Sequence, residues 1–328
     1  MKVFLISAYS LDDCDPPGWL KSRNTSPIDI CTDDPEEADV ILFAEAHQGE
    51  DPYFRKVIGH ELFKKYRNKC VLYHDADLSI TTLPTISPSI EAWQYNSRHK
   101  KSFHYIARVT ENITIDNAEV NLDVPRDFLF SFIGSKTHPL RNKILELENA
   151  GNAYLKDTKG TNAWELTEAE KKIYEQEYFD VMSKSSFILA PRGFGPCSYR
   201  LFESMQLARP PVIISDAWVE IPEVDWKQCS IRIKESDIRH IPAILNERKD
   251  EAVVMGKLAR ENWEKYFSPG VSLHRIAIAS RELINHQYSW VDSLKDYSQF
   301  VRSPWHLKNL LRFKKNQLMK SLPGKNHR

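Results

Sequence analysis

The chain has 328 residues, 41% hydrophobic and 11% aromatic, with 45 basic and 45 acidic side chains. That length allows two cores of ordinary size, and the composition excludes an intrinsically disordered chain. The charge is unevenly placed: residues 301–328 carry eight Lys/Arg and no Asp/Glu, which leaves 37 basic against 45 acidic elsewhere, a net of −8. Such a body gives no reason to expect a nucleic-acid partner.

The opening MKVFLISAYSLDD turns acidic too soon for a signal peptide, and no run reaches the ~18 apolar residues of a membrane span. Five scattered cysteines (Cys14, Cys31, Cys70, Cys197, Cys229) suit neither a disulfide framework nor a zinc motif. They fit a reducing compartment, so the expected location is cytoplasmic.

In chain order, KVFLISA (2–8), ADVILFAE (38–45), CVLYHDAD (70–77) and FHYIARV (103–109) are short apolar runs rich in β-branched and aromatic residues. They predict strands. DPYFRKVIGHELFKKYRN, between the second and third, has helical spacing, and strand alternating with helix points to a parallel sheet covered on both faces. Residues 9–37 and 80–100 read as long loops, and RHKKSFH (98–104) as a solvated basic stretch.

A second α/β block begins at DFLFSFIGS (127–135), followed by helical HPLRNKILELENA. LTEAEKKIYEQEYFDVMSKS (166–185) opens on a capping box, Thr167 to Glu170, and predicts a long helix. FILAPRGFGPC follows, then a helix starting at Ser198, a PVIIS strand, SIRI (230–233), and helices in IRHIPAILNE and DEAVVMGKLARENWEKYF. The expected division is 1–125, 126–290, and a helical return with basic tail over 291–328.

The hinge of FILAPRGFGPCSYRLFESMQLARPPVIISD (187–216) has the makings of an anion site. A helix leaving the carboxyl end of a strand offers free N–H groups and a favourable dipole. Ser198 suits the N-cap, Gly193 and Gly195 let the backbone approach a ligand, and Arg192 and Arg200 offer bidentate donors. Leu201, Met205 and Ala208 fall on the buried helical face. Arg200 and Glu203 lie together elsewhere, either as a ligand-binding pair or as an exposed i,i+3 ion pair worth roughly 0.2–0.5 kcal/mol. GFGPCS also matches half a dinucleotide fingerprint, with Asp216 at the end of the next strand where a ribose-binding acid would sit. Ser198 in place of the third glycine, and Pro196 inside the loop, count against an NAD(P)-dependent oxidoreductase.

SFILAPRGFGPCSYRLFESMQLARPPVIISDAWVEIP resembles the hallmark segment of the exostosin family of glycosyltransferases: an apolar strand, Pro-Arg-Gly, Ser-x-Arg, a Glu three residues on, Pro-Val-Ile, Ser-Asp and a downstream apolar-Pro pair. FLFSFIGSKTHPLR resembles the family's upstream strand through Gly134 and Arg141, so the match runs over about 127–225. The resemblance implies an α/β GT-B fold, two Rossmann-like domains facing across a cleft. It also implies inverting transfer from a nucleotide-diphosphate sugar to a glycan or lipid-linked acceptor in polysaccharide biosynthesis. Arg192, Gly193, Ser198 and Arg200 would hold the diphosphate, with Gly134 and Arg141 bordering it and Glu203 taking ribose or sugar hydroxyls. Two basic groups at the diphosphate would stabilise the leaving group without a metal. A catalytically inactive glycan- or nucleotide-binding protein is the non-enzyme alternative.

The general base should come from the first domain. Glu45, His47, His74, Asp75 and Asp77 all follow predicted strand ends, and Asp75 is the nominal choice. Asp75-Ala-Asp77 also matches the Asp-x-Asp pattern that holds a divalent cation in other transferases, the less favoured reading here. Trp93, Trp164, Trp218 and Trp226 read as core more readily than as sugar-stacking faces. The segment 302–328 alternates leucines with lysines, as peripheral membrane segments do.

Overall fold

A computed structural model of the chain describes residues 1–9, 14–46, 51, 53–77, 80–106, 112–122, 124–147, 152–159, 166–304, 306–308, 311, 312 and 315. Two all-parallel sheets organise them. The first contains β1 (Lys2–Ile6), β2 (Ile30–Cys31), β3 (Val40–Glu45), β4 (Cys70–His74), β5 (Thr85–Ser87) and β6 (Lys100–Ser102), in the order β2-β1-β3-β4-β5-β6. The second contains β7 (Phe128–Gly134), β8 (Ala153–Asp157), β9 (Ser185–Pro191), β10 (Pro211–Ile214) and β11 (Ile231–Arg232), in the order β11-β10-β9-β7-β8.

Every residue of β3 and β4 is buried, with no alternation. That is the signature of strands covered on both faces. One face of the first sheet packs on Leu20 and on Leu273, Ile276 and Leu283, and the other on Phe54, Val57 and Phe63. The second sheet is covered by Leu140, Ile144, Ile241 and Leu245 on one side, and by Tyr178, Val181 and Met182 with Leu201 and Met205 on the other. The architecture is the α/β pair of Rossmann-like units expected of GT-B.

The predicted helix over 166–185 forms as Glu168–Ser183 with its Thr167–Glu170 capping box in place. Other expectations need correction. The loop expected over 9–37 contains a helix, Pro16–Arg23, and β2. Asp15 caps that helix through Gly18 N–H, and Pro16 and Pro17 sit in the first turn, where the missing N–H costs nothing. The loop expected over 80–100 supplies β5. The strand expected over 103–109 lies instead at Lys100–Ser102. Phe103, His104, Tyr105 and Ile106 are buried by other means: Phe103 and His104 pack on Phe267, and His104 and Tyr105 on Phe202. Phe103 and Ile106 also join the core of the first sheet, while His104 and Tyr105 serve the contact between the two units.

The chain returns to the first sheet earlier than the expected position 291. The helix Pro269–Ile284 packs across β3, β4 and β5, because Leu273, Ile276, Ala277 and Leu283 form its buried stripe. The stretch 98–104 is not solvated either: His99, Lys100 and His104 are each 5% exposed or less. Among the described residues no helix is long and apolar enough to cross a membrane. None of the five cysteines is in a disulfide.

One close approach holds the second unit together. A Cβ on Gly256, in the helix Ala252–Tyr266, would overlap the carbonyl oxygen of Ala208, itself at φ 54° at the end of the Tyr199–Gln206 helix. Gly256→Ala is therefore expected to cost about 1–3 kcal/mol through forced separation of the two backbones, read as a lower Tm by calorimetry.

Candidate active site

In the second sheet β7 has β8 on one side and β9 on the other, so the connections leave in opposite directions there. Ligands of open parallel sheets bind outside the carboxyl ends of the strands at such a switch point. Gly134 ends β7 and Pro191 ends β9, so the 135–138 and 192–198 loops meet there.

Arg141, in the helix Pro139–Leu145, ties these loops together. Its Nε donates to the Arg192 carbonyl at 2.9 Å, Nη1 to Ser135 O at 3.1 Å and Nη2 to Pro191 O at 3.2 Å. Arg200, in the first turn of the next helix, donates from Nη2 to Ile133 O at 2.6 Å. Both guanidinium groups lie over Phe132, 5.6 Å and 4.8 Å from the ring centroid. Burial, and then the like charge of Arg200, push the Arg141 guanidinium down to about 9. Two cations this close in a half-dry pocket would be relieved by an anion. The buried Nε of Arg200 and of Arg192 have no hydrogen-bond partner among the described residues.

The glycines make room for this arrangement. A Cβ on Gly134 would stand 2.9 Å from Arg200 Nη2, and one on Gly193 3.0 Å from Arg141 Nη2. On Gly195 it would collide with Asp77 Oδ1 of the first unit. The loop thus presses its backbone against Asp77, which accepts from the Ser89 hydroxyl. Ser89 meets the Tyr105 hydroxyl at 3.0 Å, and the Tyr105 ring lies 3.9 Å from that of Tyr199.

The other expected residues fall as follows. Ser198 occupies the N-cap position, but its hydroxyl accepts from Arg200 Nη1 at 3.3 Å and caps no helix N–H. A charged guanidinium outcompetes a backbone amide as donor. Leu201, Met205 and Ala208 are buried as predicted. Glu203 is only 8% exposed and accepts from Tyr178 Oη at 2.8 Å, which rules out the exposed ion pair. Arg192 reaches the first unit, with Nη2 2.8 Å from Glu91 Oε1, and the backbone beside Glu91 joins in through Ala92 N–H to Ala217 O at 2.8 Å. Asp216 and Glu235 exchange backbone-to-carboxylate bonds, so the acid of the half fingerprint is already engaged.

Asp75, the nominal base, is 4% exposed, and its carboxylate receives the buried Tyr73 hydroxyl. Asp75 and Asp77 thus go to different partners, and Asp77 is the one that meets the loop. His74 stacks on Phe54 beneath the surface. Trp218 and Trp226 are core at 2% and 5% exposure, whereas Trp93 is exposed. His47 and Trp164 lie outside the described residues.

Sequence reasoning missed Ser89, Glu91 and Tyr105, whose relevance appears only when the two units meet, and Tyr178, which reaches Glu203 from another helix of the second unit. It also missed a cavity of about 310 Å³ between them. Trp19 and Tyr105 line it from the first unit, Asp116 from the connecting segment, and Tyr199, Glu203 and Trp263 from the second.

Residues 60–248, more than half of the chain, match the family described as the Exostosin GT47 domain. The chain belongs to the exostosin GT47 family. It is 24% identical over 288 residues to Exostosin-1 of Drosophila melanogaster, covering 79% of this chain and 36% of that one. It is 31% identical over 138 residues to the Exostosin-1 homolog of Caenorhabditis elegans, covering 37% and 35%. The chain spans about a third of the length of these exostosin relatives. Among solved structures it is similar to Anabaena HepE in complex with UDP, at 12% identity and TM-score 0.46, covering 85% of this chain and 99% of that one. It is also similar to an alpha1,3-fucosyltransferase, at 13% identity and TM-score 0.41, covering 87% and 90%.

The first sheet has its own switch point, between β1 and β3. Glu45 ends β3 there, fully buried, and accepts from Ser7 Oγ at 2.5 Å and Ala8 N at 2.7 Å. Burial outweighs these bonds and pushes the carboxyl up to about 7. A raised carboxyl favours folding in its protonated form, so its contribution is fully present below about pH 4.5 and is lost as pH rises through about 7. Glu45→Gln, neutral at every pH, is expected to raise unfolding free energy by about 2–3 kcal/mol near pH 8 and by almost nothing near pH 4.5, as read by urea titration.

Proposed function

We propose that the chain is an inverting glycosyltransferase that moves a sugar from a nucleotide-diphosphate donor to a hydroxyl of a glycan or lipid-linked acceptor. The observation that carries this reading is the pair Arg141 and Arg200 on Phe132, two like charges at the switch point with unfilled donor capacity beside them. A diphosphate supplies the missing negative charge.

In this reading the nucleotide-sugar lies across the β7 and β9 loops. Arg200 faces the diphosphate, while Arg141 braces the loop carbonyls that aim the Gly193–Gly195 backbone at it. Glu203, at the wall of the interdomain cavity, accepts from a sugar or ribose hydroxyl. Asp77 takes the role first given to Asp75, since its carboxylate meets the donor loop at the Gly195 backbone, while Glu91 is engaged with Arg192. It withdraws the proton of the acceptor hydroxyl as that oxygen bonds to the anomeric carbon from the face opposite the diphosphate. The bond to the diphosphate breaks, and the electron pair leaves with the nucleoside diphosphate, whose charge Arg200 balances. Such a leaving group is stabilised by fixed guanidinium groups without a divalent cation. Arg192, engaged with Glu91, fastens the two units around the site.

Two variants divide the reading. Arg200→Ala is expected to weaken nucleoside-diphosphate binding by about tenfold or more, a charge-assisted hydrogen bond's worth, as measured by titration calorimetry. Asp77→Asn is expected to leave that binding nearly unchanged while transfer falls about 10²–10⁴-fold. Intact binding in the first variant would remove the donor site from this switch point, and full transfer in the second would remove the base from Asp77. Binding without transfer or donor hydrolysis in the wild type would leave a nucleotide-binding protein.

A further inference from the structure

The helix Trp290–Arg302 is turned the wrong way round for a surface helix. Surface helices ordinarily bury an apolar stripe and show their charges to water. Here the acids face inward: Asp296, 6% exposed, lies 3.3 Å from the buried Lys100 Nζ and accepts from Tyr288 Oη at 2.6 Å. Asp292, which closes the helix's capping box with Ser289, stands 3.5 Å from His99 Nε2. Among the described side chains the large apolar ones face outward, at a spacing of four and then three: Trp290 is 71% exposed, Leu294 56% and Tyr297 52%, with Val291 beside them at 40%. An exposed stripe held outward by an ionic clamp on its opposite face marks an interaction surface.

We infer that this stripe seats the protein on an anionic lipid bilayer. The chain that continues from the helix carries eight Lys/Arg and no Asp/Glu over 301–328, against a net of −8 for the rest. Basic residues that follow an apolar helical stripe in sequence are drawn to anionic headgroups. Tryptophan and tyrosine are the side chains suited to headgroup depth, where one end of the ring is apolar and the other wet. A second copy of the chain fits less well, because an isologous pairing through the stripe would bring two such basic segments together. Placed this way, the protein lies at the surface where a lipid-linked hydroxyl would be presented. The inference itself does not depend on the transferase reading.

The test is co-sedimentation of the full chain with phosphatidylcholine vesicles, with and without phosphatidylglycerol. Binding is expected only with the anionic lipid and is expected to fall as salt is raised. Trp290→Ser combined with Leu294→Ser is expected to lower the partition constant about tenfold or more, and Leu294→Ser alone to show part of that loss. Both side chains are exposed, so the Tm should stay unchanged. Equal binding to neutral vesicles, no binding at all, or unchanged partition of the double variant would overturn the proposal. So would a wild-type dimer that the double variant converts to monomer in light scattering. No donor or acceptor enters the assay, so its outcome is separate from that of the transfer experiments.

Discussion

Arg141 holds three carbonyl oxygens from two different loops, and the rest of the candidate site depends on that contact. The loops that follow β7 and β9 would otherwise separate, since their strands diverge in connection at the switch point. A guanidinium is the one side chain with enough fixed donors to satisfy several buried carbonyls at once. Its cost is a buried charge, visible in the lowered pKa, with Arg200 beside it. The Phe132 ring beneath both groups offsets part of that cost through its π face. A bound anion would offset more. The strain is electrostatic, and it points to the class of ligand.

The same logic operates where the two units meet. Parallel strands place all their carboxyl ends on one side, so each unit presents its loops in one direction, and facing units bring loop against loop. Gly195 against Asp77, Arg192 against Glu91 and Tyr199 against Tyr105 are the products of that meeting. Both crossovers border the resulting cavity: Asp116 lies within the first, and Trp263 precedes the second. A ligand there would touch the residues that determine how the units are oriented.

Much of this was legible in local patterns. Four strands of the second unit follow from short apolar runs, and the Glu168–Ser183 helix from its capping box, because both signals are written within a few residues; β8, AYLKD at 153–157, has no such run and was not read. The Gly-rich turn and its arginines carried the expectation of an anion site for the same reason. The helix Pro16–Arg23 was not legible, since Pro and Gly in its first turn mimic a loop. FHYI at 103–106 read as a strand because burial was assumed to mean a sheet, whereas Phe103 and Ile106 join the first unit's core without one and His104 and Tyr105 pack on Phe202 of the other unit.

Asp75 and Asp77 show the division most clearly. Sequence alone placed both at the end of a strand and offered each as an acid with catalytic potential. It also determined the two α/β blocks and put glycines, arginines and a glutamate together in the 193–203 turn, both of which rest on periodicity and local spacing. Only the tertiary structure decided that Asp75 turns in to Tyr73 while Asp77 faces Gly195, and that Arg192 reaches Glu91, about a hundred positions away along the chain. The physical reason is that a side chain's direction and charge environment are fixed by what packs against it. Those partners come from distant segments that no local spacing encodes.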